Sequence, residues 1–351
     1  MQTKSYVFDP RPAFPLLITA RQYSSDDCAQ DDPDALTLVF AHATGFHKEH
    51  WEPTLDHLFA LVRQSANATV KIRDAWSIDA PNHGEAAVLN ENELLWGYVP
   101  VFPWEEYARA VHLFLAGLGT GVDGDFSKRN LVGVGHSMGA SAIILSQTYQ
   151  PPLPYVGTLL VEPMLLPPSV DSPSTGGPRN VLLEGAEKRR DVWPSRDAAR
   201  AQFAGRLPWK AWDPRVLDAF VNVGLRALPT AAYPDAREGV TLTCTKAQEA
   251  ACYRDKLGRT KAYRYLPHLC AAMPVHFIWG ALTDNPILTE EVKQGVMSDG
   301  TRGKHRSDQR VAGAGHMLPQ MQPEGLASAL WTALTSDSRS VVGERPARSR
   351  L

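Results

Sequence analysis

Residues 130–141 read N-L-V-G-V-G-H-S-M-G-A-S, and the order of residue types in this stretch decides the fold. Leu131, Val132 and Val134 form an apolar, β-branched run suited to a buried strand. Gly135-His136-Ser137-Met138-Gly139 follows, and a helix-compatible run continues to Tyr149. Strand, sharp turn and helix around G-x-S-x-G is the pattern of a nucleophile elbow, in which a serine stands on a strained turn. Ser137 is therefore the candidate nucleophile. A side chain at Gly135 or Gly139 would collide with the neighbouring strand or helix, which gives both glycines a steric reason. Average residue usage supplies a G-x-S-x-G about 0.1 times in a chain of this length. The placement between strand and helix thus carries more weight than the bare match.

At 351 residues the chain has room for one large α/β domain with an insertion and for a sizeable core. A net charge of −2 and a pI near 6.6 give no general reason to expect nucleic acid or an anionic membrane as partner. No run reaches the ~18 apolar residues of a membrane span, and the polar start at 1–6 is unlike a secretion signal. Cys28, Cys244, Cys252 and Cys270 lack C-x-x-C spacing, so ordinary thiols in a reducing compartment are expected.

Short strands are expected at 5–8 and 16–23, then a solvated acidic loop at 26–34. The first convincing core strand is 36–41, L-T-L-V-F-A, which runs into His42-Ala43-Thr44-Gly45-Phe46-His47 and a helix over about 51–63. Open α/β sheets place ligands at the carboxyl ends of such strands. This loop can supply one backbone N–H to an oxyanion hole, with Thr44 the first choice and Phe46 the alternative, and Met138 supplies the other. A strand over 70–79 ends in D-A-P-N-H-G-E, turn chemistry in its own right. His83 within it precedes the nucleophile, and a better-placed histidine lies downstream. The spacing of Tyr107, Val111, Phe114 and Leu118 predicts a helix packed on the sheet.

Strand 155–161 terminates on Glu162. A carboxylate closing an apolar strand needs a partner to offset its desolvation, which makes Glu162 a candidate acid. Residues 164–273 lose the strand and helix alternation and read as a mostly helical cap, whose Trp193, Trp209, Trp212 and Tyr233 could line an acyl pocket or pack the cap. The core resumes with a strand at 275–280 followed by T-D-N-P, where Asp284 is the alternative acid although turn chemistry explains it. A helix over about 289–296 and a strand over 309–312 lead to Gly313-Ala314-Gly315-His316. His316 sits where a general base belongs, and serine, acid, histidine is the chain order of this hydrolase type whichever acid is used. The expected divisions are a first core segment 1–163, a helical cap 164–273, a second core segment 274–335 and a flexible tail 336–351.

G-H-S-M-G, A-H-A-T-G-F-H-K-E, D-A-P-N-H-G-E and G-A-G-H-M-L-P together resemble the α/β-hydrolase superfamily. More narrowly, they resemble fungal peroxisomal hydrolases of toxin and secondary-metabolite pathways, including the acyl-CoA hydrolase of mycophenolic acid biosynthesis. The resemblance covers about 36–161 and 274–334. It implies a mostly parallel sheet flanked by helices, with a helical cap, and an acid at Glu162 after the strand that follows the elbow helix. It also implies acyl transfer to water by Ser137, His316 and that acid, on an acyl thioester such as an acyl-CoA, with no metal or organic cofactor. The same residues would serve a carboxylic ester hydrolase or lipase, and a non-catalytic binding module is the third class. A serine at the elbow, instead of an aspartate, argues against dehalogenase or epoxide hydrolase chemistry. The chain ends Ser349-Arg350-Leu351, a close variant of the S-K-L address, so the peroxisomal import receptor is an expected partner and the peroxisome the expected location, with the cytoplasm the alternative.

Overall fold

The computed structural model describes residues 1–65, 70–170 and 180–341. Two strands, β1 (Gln2–Phe8) and β2 (Ile18–Ser24), open the chain, followed by β3 (Leu36–Ala41), α1 (Glu52–Gln64) and β4 (Ile72–Ile78). Helices α2 (Gly84–Leu89), α3 (Glu91–Gly97) and α4 (Trp104–Leu115) lead to β5 (Asn130–His136), α5 (Met138–Ser146) and β6 (Tyr155–Val161). Between the two parts of the core lie α6 (Val181–Lys188), β7 (Val192–Trp193), α7 (Arg196–Ala204), α8 (Pro214–Val223), β8 (Leu225–Ala227), β9 (Val240–Leu242), α9 (Lys246–Arg254) and α10 (Leu257–Ala272). The chain returns to the sheet with β10 (Val275–Gly280), α11 (Glu290–Gly295), β11 (Ser307–Val311), α12 (Leu318–Met321) and α13 (Pro323–Val341).

The central sheet has the order β1-β2-β4-β3-β5-β6-β10-β11. The β1/β2 and β2/β4 pairs are antiparallel, and from β4 to β11 every pair is parallel. Parallel strands are covered on both faces, which is why 36–41 and 155–161 read as continuous apolar runs. Alternate residues nonetheless serve two separate cores. Val39, Ala41, Leu160, Phe277 and Trp279 join α4, α5 and α10 on one face. Leu38, Phe40, Val132, Val134 and Ile278 join α1 and α13 on the other. This is the α/β-hydrolase architecture expected from the sequence, with all the strand ends of the parallel half opening at one edge.

Segment 164–273 is more varied than a helical cap. Its last helix, α10, places Ala262, Leu266 and Leu269 in the same core as α4 and α5, so it packs with the sheet helices. The part above the site contains a small antiparallel sheet of order β7-β9-β8, with strands of two or three residues that are too short to show periodicity in sequence. Its own apolar cluster, including Trp193, Phe203, Trp212 and Phe220, joins Ala43 and Phe46 of the loop after β3 and so fastens the cap to the site. The acidic loop at 26–34 is pinned: Lys71 pairs with Asp32 at 2.6 Å, and Arg73 donates to the carbonyls of Gln30 and Asp32. α13 continues to Val341, past the 335 boundary expected for the core, because its polar last turns keep the helical hydrogen bonds. Ser349-Arg350-Leu351 lies outside the described residues. Among the described residues no helix is long and apolar enough to cross a membrane.

Candidate active site

Ser137 stands between β5 and α5 with φ 54° and ψ −114°, a strained conformation for a non-glycine residue. The turn is held from outside: the Ser137 N–H donates to the Val161 carbonyl at the end of β6, 3.1 Å away. A Cβ at Gly135 would meet the backbone of Ala140, and one at Gly139 would meet the carbonyls of Ala41 and His42. Both glycines are therefore steric necessities of packing strand, elbow and helix so closely.

His316, in the loop after β11, brings three distant segments together. Its Nε2 lies 3.1 Å from the Ser137 hydroxyl and its Nδ1 3.3 Å from Oε2 of Glu162. Its backbone is fixed at both polar groups. The amide donates to Oδ1 of Asp284 at 2.8 Å, and the carbonyl accepts from Nε2–H of His136 at 2.8 Å. Asp284, the alternative acid, thus touches the backbone of His316 and leaves the ring to Glu162. Gly315 is required here as well, since a Cβ would run into the Asp284 carboxylate.

Glu162 is fully buried at the end of β6 and also has positive φ, 42°. Its Oε1 accepts from the Gly280 amide at 2.7 Å and from the Lys293 ammonium at 2.7 Å. Burial alone would raise its pKa, but the hydrogen bonds and charges of His316 and Lys293 outweigh it and hold the carboxyl below its ordinary value. Lys293 on α11 is itself buried. Sequence reasoning missed it, as a lysine in E-E-V-K-Q looks like part of a solvated helix face. His136 was missed also. Its place inside the elbow motif was the available signal, and burial pushes its pKa down to about 3, so it stays a neutral donor.

The loop after β3 closes the other side. The Gly45 N–H donates to Nε2 of His83 at 2.8 Å, while Nδ1–H of His83 donates to Oδ1 of Asn82 at 2.7 Å. Both ring nitrogens of His83 are thereby occupied in shaping the loop, and burial holds its pKa well below the ordinary value. The Phe46 amide donates to the Ala43 carbonyl at 3.3 Å. Among the described residues, the amides of Thr44 and Met138 have no protein acceptor, and the Thr44 hydroxyl approaches Sδ of Met138 at 3.3 Å. Below the loop, the buried Lys48 bonds Asp79 at 2.8 Å and also reaches Glu49 and Glu85. Burial would depress the Lys48 pKa, yet Asp79 and Glu49 outweigh it and raise it.

The cleft at Ser137 is mainly apolar, lined by Phe46, Trp104, Met164, Leu182, Tyr253 and Ile287 among others, and encloses about 560 Å³, part of it open to solvent. None of Trp193, Trp209, Trp212 or Tyr233 lines it; its aromatic side chains are Phe46 after β3, Trp104 at the start of α4 and Tyr253 on α9. Among the described residues no cluster of three or more His, Cys, Asp or Glu side chains is arranged to hold a metal ion.

A hydroxyl, an imidazole and a buried carboxylate in series, below a cap, on a mostly parallel sheet are the arrangement of the α/β-hydrolase class. The model of the alpha/beta hydrolase family matches residues 38–329, and the chain belongs to that family. Its sequence is similar to the type I acyl-CoA thioesterase mpaH of Penicillium roqueforti, 33% identical over 226 residues, which is 63% of this chain and 47% of that protein. It is also similar to mpaH′ of Penicillium brevicompactum, 31% identical over the same shares. The chain spans about half the length of these curated relatives. Among solved structures, the peroxisomal α/β-hydrolase Lpx1 of Saccharomyces cerevisiae shares the fold with TM-score 0.71 at 18% identity, covering 100% of this chain and 92% of that one. The thioesterase domain from the curacin biosynthetic pathway does so with TM-score 0.63 at 14% identity, covering 94% and 100%.

Proposed function

We propose that the protein is a serine hydrolase of an acyl thioester, an acyl-CoA in the first instance. The observation that carries this is His316, whose two ring nitrogens reach Ser137 at 3.1 Å and Glu162 at 3.3 Å. In this mechanism Nε2 of His316 takes the serine proton as Oγ attacks the thioester carbonyl. Glu162 holds the ring through Nδ1–H and offsets the charge of the imidazolium. The amides of Met138 and Thr44 receive the tetrahedral oxyanion, a choice favoured over Phe46 because the Phe46 amide is already bonded to Ala43. Expulsion of the thiolate, protonated by His316, leaves an acyl-serine, which water then hydrolyses with the same histidine as base. The reaction needs no metal or organic cofactor.

The thioesterase names of the Penicillium relatives favour a thioester over a carboxylic ester, and a place in fungal secondary metabolism rests on the motif resemblance alone. Import into the peroxisome through Ser349-Arg350-Leu351 belongs to the same proposal. A panel of acyl-CoA and p-nitrophenyl ester substrates tests the activity. Turnover confined to the esters would make the protein a carboxylesterase, and absence of turnover on both would make it a binding protein. A fluorescent reporter carrying the last dozen residues tests import, with diffuse cytosolic signal counting against it.

A further inference from the structure

The cap holds a second cavity that the proposed hydrolysis does not use. Its apolar walls include Trp193, Phe203 and Trp209, and Lys188, Arg190 and Arg206 also line it. No aspartate or glutamate does. It encloses about 630 Å³, part of it open to solvent. The wall is ordered before any ligand arrives: Gln202 Oε1 accepts from Nη1 of Arg190 and from the indole of Trp193, each at 3.1 Å, and Nε of Arg190 donates to the Val192 carbonyl at 2.8 Å. Arg189 is engaged with Glu249 at 2.5 Å. The exposed cations are not neutralised in that way. Lys188 has only the half-buried Glu184 one turn back at 3.4 Å, and Arg206 makes no ion pair among the described residues.

Positive charge without a buried counter-ion favours an anion, and guanidinium groups match phosphate oxygens. Half-buried Trp209, packed on Phe203 with ring centroids 5.1 Å apart, offers a flat face for a purine ring. The cavity also adjoins the cleft: Phe220, which lines it, packs edge-on against Phe46 of the cleft with ring centroids 6.5 Å apart. We infer that this cavity is a subsite for the phosphorylated adenosine end of a coenzyme A thioester, an inference that rests on the acyl-CoA reading of the Ser137 site.

Two measurements test it on the full chain. The first compares an acyl-CoA with the N-acetylcysteamine thioester of the same acyl group, which lacks the nucleotide. Arg206→Ala and Lys188→Ala are each expected to raise KM about tenfold for the acyl-CoA, with kcat changed less than about twofold and KM for the short thioester unmoved. Arg206→Lys recovers part of the loss. Arg200→Ala, a charge removed from α7 where it pairs with Asp218 and does not line the cavity, changes neither substrate. The second is calorimetric titration of adenosine 3′,5′-bisphosphate into the wild-type protein, with binding weakened about tenfold in Arg206→Ala. Equal KM effects on the two thioesters, or pyrophosphate binding as tightly as the nucleotide, overturn the subsite. Wild-type protein that cleaves p-nitrophenyl esters but no thioester overturns the proposed function instead. In that event the titration alone decides the subsite, with no nucleotide binding as the result against it.

Discussion

Replacing Lys293 by methionine removes the cation from a buried pair while keeping the bulk of the side chain. Lys293 and Glu162 are both essentially inaccessible and 2.7 Å apart. Breaking such a pair by deleting one member costs about 3–5 kcal/mol, since the remaining charge is left buried. Glu162 would keep the Gly280 amide and the His316 ring, so the lower end, about 3 kcal/mol at neutral pH, is expected. The pH dependence carries the sharper test. In the wild type the Glu162 carboxyl is held below its ordinary value, so its contribution is present above the unfolded value of about 4.3 and is lost as pH falls through the folded value. Without Lys293 desolvation is opposed by fewer partners, so the carboxyl moves up from its wild-type position and contributes less stability above about 4.3. The gap between Lys293→Met and wild type should therefore be widest at pH 7 and shrink near pH 4. Urea titrations at the two pH values read it. A gap below about 1 kcal/mol at pH 7, or one that widens in acid, would refute the reasoning.

Glu162→Gln is expected to lower turnover by about 10²–10⁴-fold, because the ring loses the partner that orients it and offsets its charge, while Asp284→Asn should cost about tenfold or less because it perturbs a backbone contact. The reverse order in steady-state kinetics would move the acid to Asp284. Ser137→Gly should be more stable than Ser137→Ala by about 1 kcal/mol in denaturant titrations, as glycine relaxes the positive φ that alanine retains; equal stabilities would contradict the strain. His42, His50, His83 and His136 are all buried with depressed pKa values, about 4 for His42 and about 3 for His136, in each case mainly through desolvation. The unfolded chain binds protons at these sites before the native one does, so stability should fall as pH drops below about 6.5, by about 1.4 kcal/mol per pH unit for each proton taken up. A stability profile flat from pH 7 to pH 5 would contradict that linkage.

The parts legible in the sequence were those whose chemistry leaves a local mark. A G-x-S-x-G between a β-branched run and a helix marks the turn that bears Ser137, and a carboxylate closing the run 155–161 marks Glu162 because it must find partners. Gly-rich surroundings after the last strand mark the loop of His316. What stayed hidden depends on contacts between distant segments. Asp284 reads as an ordinary turn residue, and nothing local shows that its carboxylate holds the His316 amide. Lys293 reads as a surface lysine, since the burial that gives it meaning comes from Glu162 and Trp279 on other elements. Strands β7, β8 and β9 are too short to have a period, and α10, with Pro267 inside it, reads as cap although it packs under the sheet helices.

The claim on which the rest depends is that the Ser137 hydroxyl attacks a thioester carbonyl. Release of free coenzyme A thiol from a panel of acyl-CoA substrates, followed for the wild type and for folded Ser137→Ala, tests it most directly. The expected result is release by the wild type that falls by about 10⁴-fold or more in the variant. Release at comparable rates by both proteins, or by neither, would contradict it.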